Sequence, residues 1–344
     1  MNGGRRRSGK PTLADVAKAA GVSAITVSRA IRDPDAVSEA LRERVTRAIR
    51  DIGYVPNTAA QALASARTNV IGVVIPSVTN SVFIDVLHGA YDAVEGTRFQ
   101  IQLGNSNYSN LQEEELFRLF IGQRPAALLV TGVGQSAGAR ERLRSLSCPI
   151  VQIMELGPPD PVDMVVGFSH ADACEAATRH LIERRYRRIG FLAAQMDPRT
   201  ILRLEGYTRA MREAGLYDER LVVTTPKPSS IMHGGDLLSE LLARAPDADA
   251  VQANNDDIAL GVLFECQRRR IRIPEDFGIS GFNDFDVASC TCPTMTSVRT
   301  YRHEMGRTAM EMLLAAIAGD PPERKVVDLG FELMVRESTD RRVG

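Results

Sequence analysis

In the first fifty residues, apolar residues recur at the spacing that is typical of short helices. Thr12 begins the run T-L-A-D, a capping box with Asp15, and apolar residues then recur at helical spacing up to Gly21. Ser23 and Ser38 are good N-caps for a second and a third helix. Helices separated by a short, glycine-containing connection are typical of a helix-turn-helix. The pattern therefore predicts three helices, with the first two in that arrangement.

The second predicted helix, within VSAITVSRAI, has two different faces. Val27, Ala30 and Ile31 share the face that would pack inward. The other face carries hydroxyls, apolar residues and one cation but no acid, as a surface beside DNA phosphates requires. The alternative is a plain three-helix cap on a larger domain. The outward positions are Ala24, Ile25, Ser28 and Arg29.

Charge is distributed unevenly along the chain. Residues 1–67 hold 12 Lys and Arg against 6 Asp and Glu, a net charge of +6, whereas the remainder holds 30 against 37, a net charge of −7. A compact basic head on an acidic body favours a polyanionic partner for the head. A basic tail that only aids solubility is the alternative. Together with the helix pattern, the charge predicts a head that binds double-stranded DNA.

From residue 69 onward, short apolar runs alternate with helical patterns, which predicts an α/β body with parallel sheets. About 275 residues are many for one open sheet, so we expect two lobes. The apolar runs are NVIGVVI, FQIQL, AALLVT, PIVQIM, RRIGFLA, ADAVQA and GISGF. The helical patterns span 82–95, 111–122, 171–184, 201–214, 256–269 and 302–317.

Polar residues follow several of these strands, at the edge where ligands bind in open α/β sheets. Amides, carboxylates and one arginine suit a polyhydroxylated ligand, with the arginine available for a carboxylate. For Ser77, Asn255 and Asp256, capping or turn chemistry is an equally good explanation. The candidate effector residues are Ser77, Phe83, Asn105, Glu155, Arg203, Asn255, Asp256 and Asn283.

Several classes of protein are disfavoured. No run approaches eighteen apolar residues, and the basic N-terminus has no apolar segment behind it, so we expect a cytoplasmic protein without a membrane partner. No residue spacing matches a nucleophile, phosphate-binding or metal motif. We therefore expect no enzyme activity, no metal and no cofactor.

The runs TLADVAKAAGVSAITVSRAI, VSEALRERVTRAIRDIGYVPN and AAQALA resemble the head of the lactose/galactose-repressor family of bacterial transcription regulators. The resemblance implies a DNA-binding domain over 1–57 and a hinge helix over 58–67, whose Leu63 enters the minor groove. It implies base reading by Ala24, Ile25 and Arg29. The other implied DNA contacts are Thr12, Leu13, Ser23, Thr26, Ser28 and Asn57.

The runs NNDDIALGVLFECQRR, IPEDFGISGFNDFD and VVDLGFELMVRES resemble the sugar-sensing core of the same family, a two-lobed body like periplasmic sugar-binding proteins. The resemblance implies an effector-binding and dimerisation domain over 68–344. Lobe one would cover about 68–167 and 299–335, and lobe two about 168–298. It also implies that Arg203, Asn255, Asp256 and position 283 line the cleft.

Two positions depart from the family pattern: Asn283 stands where Asp is usual, and Ser169-His170 replaces a common Asp-Asn. Fewer carboxylates suit an anionic ligand better. PSVTNSVF, VGFSHADA and DPRTILRLEGY are most similar to gluconate-operon repressors, and Arg199 with Arg203 would favour a sugar acid.

The hypothesis is a nucleoid-associated repressor of carbohydrate-utilisation genes. It would bind operator DNA as a homodimer, since no heptad run follows VVDLGFELMVRES, and a sugar acid such as gluconate would release it. A neutral-sugar inducer remains an alternative. So does a purine corepressor, for which Phe83 is the one clear stacking candidate. A free sugar-binding protein is the alternative outside regulation.

Overall fold

The computed structural model describes residues 11–32, 36–55, 68–157 and 161–341. The chain divides into two compact units, Met1–Thr68 and Asn69–Gly344. Asn57, Leu63 and the expected hinge helix over 58–67 lie outside the described residues. Within the described ranges, no helix is both long enough and apolar enough to cross a membrane.

The first unit contains three helices, α1 (Leu13–Ala20), α2 (Ala24–Arg32) and α3 (Glu39–Ile52). Thr12 and Asp15 form the reciprocal capping box of α1, and Gly21 ends that helix with a left-handed φ of 62°. The Ser23 hydroxyl accepts the Thr26 N–H at 3.1 Å and so caps α2. Ser38 occupies the N-cap position of α3, but its side chain makes no cap hydrogen bond.

One apolar cluster holds these helices together. Its members lie at the helical positions that the sequence pattern assigned inward, and Val16, Val27 and Val45 are almost completely buried. Leu13, Ile31, Leu41, Ile49 and Ile52 pack around them while remaining partly exposed. Because the core is shared by all three helices, the face of α2 opposite Val27 is left to solvent.

The second unit contains two six-stranded sheets. The six strands of lobe one are all parallel, in the order β11-β5-β4-β3-β1-β2. Its strands are β1 (Val70–Ile75), β2 (Gln100–Asn105), β3 (Ala127–Thr131), β4 (Ile150–Glu155), β5 (Met164–Phe168) and β11 (Val326–Asp328). Its helices are α4 (Ser81–Val94), α5 (Asn110–Gln123), α6 (Ala137–Arg144) and α12 (Arg302–Ala318).

Lobe two has the order β12-β10-β9-β8-β6-β7, with β12 antiparallel to β10. Its strands are β6 (Ile189–Ala194), β7 (Val222–Thr225), β8 (Ala250–Ala253), β9 (Gly278–Asn283), β10 (Thr296–Arg299) and β12 (Glu332–Met334). Its helices are α7 (His170–Glu183), α8 (Pro198–Glu213), α9 (Ile231–Arg244), α10 (Asp256–Arg269) and α11 (Asp286–Cys290). The 3₁₀ turns are Glu219–Leu221 and Glu337–Thr339.

The lobe boundary differs from the expected one at the end of the chain. The resemblance implies that lobe one includes residues 299–335. However, β12 pairs with β10 of lobe two, where Val298 lies opposite Leu333. The chain crosses between lobes after β5, after β10 and after β11. A strand of three residues has too few positions to show an alternating pattern, so the sequence did not reveal this last crossing.

Two helices of lobe one, α4 and α12, touch through their backbones. A Cβ on Gly89 would lie 1.9 Å from the carbonyl oxygen of His303, and one on Gly306 would lie 1.9 Å from that of Val86. Glycine is therefore required sterically at both crossings. Helix α12 contacts β3, β4 and β5 of the lobe-one sheet, and α4 packs on α12.

We predict that Gly89→Ala lowers the free energy of unfolding by about 1–3 kcal/mol, because the added methyl group must displace backbone. Gly122→Ala in α5 is the matched control, because no atom lies within 4 Å of its Cβ position. That change should raise stability by about 0.5–1 kcal/mol. Urea unfolding of both variants measures the difference, and equal effects would show that the α4–α12 contact tolerates a side chain.

Candidate functional site

The outward face of α2 presents apolar and cationic side chains to solvent. Ile25 is 81% exposed, Ala24 and Arg29 are also exposed, and Arg29 makes no ion pair with the described residues of the chain. Thr26 and Ser28 are half-buried at the edge of this face. A large exposed isoleucine beside an unpaired arginine offers methyl contact and a guanidinium fork to base edges.

The hydroxyls expected at DNA also serve the helix ends. Thr12 donates to Asp15 Oδ2 at 2.7 Å, and the Ser23 and Thr26 hydroxyls lie 2.8 Å apart. Leu13 packs against the head core, so its side chain is directed toward the protein and only partly outward. Thr12 therefore keeps the capping role that the sequence predicts, and Leu13 belongs to the head core.

The second unit holds two adjoining cavities between its lobes. We call the smaller, of 130 Å³, the Arg203 chamber and the larger, of 380 Å³, the Thr131 chamber. Tyr108, Gln195, Asp197 and Arg199 line both, so the two chambers adjoin. The Arg203 chamber is also lined by Ser77, Thr79, Asn80, Val82, Phe83, Met154, Thr200, Arg203, Pro228, Ser229, Asn254, Asn255, Asp257, Asn283 and Phe285.

The Arg203 side chain is buried and has only neutral partners. Its Nε donates to His170 Nδ1 at 3.2 Å, Nη1 donates to the Asn254 carbonyl, and the guanidinium lies 3.8 Å from the Phe282 ring centre. Burial lowers the pKa of Arg203 to about 10. Burial, reinforced by the nearby Arg203, lowers the pKa of His170 far below its usual range, so that ring is neutral. Arg203 thus forms no ion pair with a described residue, and the charge of Asp197, which pairs with Arg199, only partly offsets the effect of burial on its pKa.

Arg199, one helical turn earlier, is fully compensated. Its Nη2 donates to Asp197 at 2.5 Å and its Nη1 lies 3.6 Å from Glu155 across the cleft. The charge of Arg199 lowers the pKa of Asp197 although burial opposes this, whereas for Glu155 burial prevails and raises the pKa. The pair of carboxylates leaves Arg199 with little net attraction for an anion, while Arg203 keeps its own.

Of the eight predicted effector residues, six line the two chambers. Glu155 lines the Thr131 chamber. The Asn255 amide caps α10 and also donates to Ser229 at 2.7 Å, so the capping and cleft interpretations both hold for it. Asn283 has a left-handed φ of 112°, and its side-chain amide makes no hydrogen bond to the described residues. The residues in the Arg203 chamber are Ser77, Phe83, Arg203, Asn255 and Asn283.

Asn105 and Asp256 do not line either chamber. Asn105 donates to Asn107 at 2.9 Å at the end of β2. Asp256 is completely buried, where Oδ1 accepts from the Ser297 hydroxyl at 2.6 Å and Oδ2 accepts from the Phe285 N–H at 2.8 Å. Through these two hydrogen bonds, Asp256 holds the loop after β9 against β10. The next residue, Asp257, lines the Arg203 chamber instead.

Comparison with known proteins agrees with both units. Residues 12–57 match the family described as bacterial regulatory proteins, lacI family, and residues 178–339 match a periplasmic binding protein-like domain. The HTH-type transcriptional regulator GntR of Pseudomonas aeruginosa is 43% identical over 97% of each chain. The chain belongs to the lacI family.

Two solved structures of lacI-family type extend this likeness. A lacI-family transcriptional regulator from Silicibacter pomeroyi is 34% identical with a TM-score of 0.88, covering 96% of this chain and 100% of that one. The transcription regulator GntR from Chromobacterium violaceum is 40% identical with a TM-score of 0.76, covering 79% and 99%. This lacI-family chain is therefore a DNA-binding transcription regulator and not an enzyme, and both the expected fold and the expected family are confirmed.

The regulator's cleft also includes residues that were not among the predicted effector residues. Tyr108 and Gln195 have left-handed φ values of 57° and 53° in loops, and Asn80 donates to the Tyr108 hydroxyl at 2.9 Å. Asn254 directs its backbone carbonyl to Arg203 and its amide to Ala194 at 3.0 Å. Gln195 and Asn254 directly follow β6 and β8, so the strand-end rule could have included them, whereas Asn80 and Tyr108 lie farther along their loops, where no periodic signal marks them.

The buried carboxyl of Asp256 gives a pH prediction. Burial raises its pKa to about 7 despite its two hydrogen bonds. The folded state therefore favours the protonated form, and the stability that this form contributes is lost as pH rises from about 4 through 7. We expect the unfolding free energy of the wild type, minus that of Asp256→Asn, to fall steadily over this range in urea unfolding. A constant difference between pH 5 and 7.5 would show an ordinary pKa.

Proposed function

We propose that this regulator is a repressor of carbohydrate-utilisation genes that leaves its operator when a sugar acid, such as gluconate, binds the Arg203 chamber. Two chains would place two heads on a pseudo-palindromic operator, with α2 of each head in the major groove. The protein would then act in the cytoplasm, at the nucleoid. The resemblance of its runs to gluconate-operon repressors supports this proposal.

The observation that carries the proposal is that Arg203 is buried in the chamber wall without an ion pair to a described residue. A buried charge without a partner costs several kcal/mol of stability, so such groups are normally paired. Its Nη2 makes no hydrogen bond to the described residues, and Arg203 lines the chamber. A ligand carboxylate would supply both the missing charge and the missing acceptor.

The other groups of the chamber suit hydroxyls. Ser77, Asn255 and the free amide of Asn283 offer both donors and acceptors. An aspartate at position 283, which is usual in the family, would place a negative charge near Arg203. Asn283 adds no further carboxylate to Asp197 and Asp257, which already line the chamber, and His170 is neutral. The effector class that fits is a hydroxylated monocarboxylate.

A neutral sugar would supply no carboxylate to pair with Arg203 in the bound state. The purine alternative gains some support, because Tyr108 and Phe285 join Phe83 at the chamber wall. However, Phe83 is buried to 1% exposure and faces Arg199 at 5.9 Å, so its ring is already occupied by the protein. A purine would also leave the arginine without a full counter-charge. The sugar acid is therefore favoured.

The decisive experiment measures operator binding by fluorescence anisotropy with gluconate, other sugar acids and neutral sugars. Gluconate should weaken operator binding, while glucose should not. Arg203→Met should weaken gluconate affinity about 10- to 100-fold, because a charged hydrogen bond is lost. Arg212→Met, on the exposed side of α8 against Tyr217, should not change it. If neither sugar acids nor sugars release the operator, the inducer proposal fails.

A second experiment tests the base-reading face of α2. Arg29→Ala should cost about 1–3 kcal/mol of operator binding and relax the preference at one base pair. Lys18→Ala, at an exposed position of α1, is the control and should weaken all sequences alike. Competition titrations with single-base operator variants separate the two effects. A uniform loss for Arg29→Ala would reassign that arginine to a phosphate.

A further inference from the structure

The chain that follows β9 has a constrained backbone beside the effector cleft. We call residues 283–285 the β9 loop; its first and last residues, Asn283 and Phe285, line the Arg203 chamber. Asn283 and Asp284 have φ values of 112° and 54°, in the region that favours glycine. Residues with side chains keep such a backbone only where surrounding contacts hold it. A ligand that contacts Asn283 therefore acts on a loop whose shape depends on its partners.

Several of these partners belong to lobe two. The Asp284 carboxylate accepts from Arg299 Nε at 2.9 Å and lies 2.7 Å from Arg336 Nη1. The Phe285 N–H donates to Asp256 at 2.8 Å. These three partners come from β10, from the segment after β12 and from α10. They hold the β9 loop to its own lobe.

Arg302 connects the same loop to lobe one. It is the first residue of α12, and its side chain is only 10% exposed. Its Nη1 donates to the Asn283 carbonyl, and its guanidinium carbon lies 5.0 Å from the Phe285 ring centre. Its Nε and Nη2 both lie 2.8 Å from Asp85 Oδ2 on α4. One side chain therefore joins the β9 loop of lobe two to a helix of lobe one.

The stability of α12 does not explain an arginine at this position. The N-terminus of a helix carries partial positive charge, so a cation in the first turn is unfavourable for the helix itself. The carboxylate that pairs with Arg302 lies on another helix, because Asp85 is 217 residues away along the chain. Arg307 of the same helix pairs instead with Glu304 and Glu311 of α12. Arg307 thus stabilises its own helix, whereas Arg302 stabilises a contact between the lobes.

We propose that Arg302 is the positioning residue that couples the effector cleft to lobe one, by tying the β9 loop to Asp85 of α4. A ligand bound at Asn283 displaces the carbonyl of that residue, and Arg302 passes the displacement to α4. This inference rests on the proposed function, since it takes the Arg203 chamber as the effector site. Arg302 is not among the described residues that line either chamber. Its loss therefore affects the response to the ligand more than the binding of the ligand.

The first test measures amide hydrogen exchange in the full chain without ligand or DNA. Arg302→Met keeps the length of the side chain but removes its charge and donors. Exchange should rise about threefold or more both in the β9 loop and around Asp85 in α4, because both segments lose a shared contact. Arg307→Met, the control, should change neither segment. Faster exchange in only one segment, or in neither, overturns the link.

The second test measures operator affinity by fluorescence anisotropy with and without saturating gluconate. In Arg302→Met the ratio of the two affinities should fall by about fivefold or more, while gluconate affinity of the free protein changes by less than about threefold. Arg302→Lys, which keeps the charge but not the planar fork, should give an intermediate ratio. Arg307→Met should keep the wild-type ratio. An unchanged ratio in Arg302→Met overturns the proposal.

Asp85→Asn gives an independent variant on the other side of the contact. It should lower the same ratio, and the double variant with Arg302→Met should lower it no further than Arg302→Met alone, because both changes break one connection. Additive effects of the two changes overturn the proposed connection.

Failure of the proposed function gives a different result from failure of this inference. If gluconate leaves operator binding of the wild type unchanged, the proposed function fails and the regulatory role of Arg302 falls with it. If gluconate releases the wild type and Arg302→Met equally well, only the coupling through Arg302 is overturned.

Discussion

A buried arginine whose direct contacts are all neutral organises the body of this regulator. Arg203 draws His170 at the start of α7, the carbonyl of Asn254 after β8 and the ring of Phe282 on β9 around one guanidinium. Each contact is neutral, so the elements are positioned while the guanidinium stays without an ion pair to a described residue. An anion that completes the site stabilises this arrangement of the cleft by its binding free energy. The same electrostatic constraint thus sets lobe geometry and ligand class together.

The head and most of the body follow from local sequence signals. The capping box at Thr12 and the left-handed glycine at position 21 are encoded within a few residues, so helix ends there could be read directly. The predicted pattern 256–269 coincides with α10 because Asn255 caps it by a hydrogen bond to Ile258. By contrast, β12 belongs to lobe two through a pairing with a strand 33 residues or more away. Local periodicity does not carry such long-range pairing.

The rule that ligands bind at the carboxyl ends of strands predicts part of the candidate site. Ser77, Glu155 and Asn283 follow strands whose carboxyl ends meet at the cleft, so topology alone brings them together. Asp256 and Asp257 differ by one position, about 100° around the helix, and only the packed structure decides which one is buried. Tyr108 and Gln195 enter the cleft on left-handed loop residues. Such backbone conformations are set by surrounding contacts rather than by the residue type.

The glycine contacts between α4 and α12 have a mechanical consequence. Helix α4 has 14 residues, about 21 Å, and its N-cap Asn80 lines the Arg203 chamber. Because Gly89 and Gly306 let the two backbones touch without intervening side chains, neither helix can bend or slide independently of the other. We expect the pair to move as one block, with Asn80 at the end that lines the Arg203 chamber. A tilt of about 3° at the cleft moves the far end by about 1 Å, roughly the size of shift that repacks an interface.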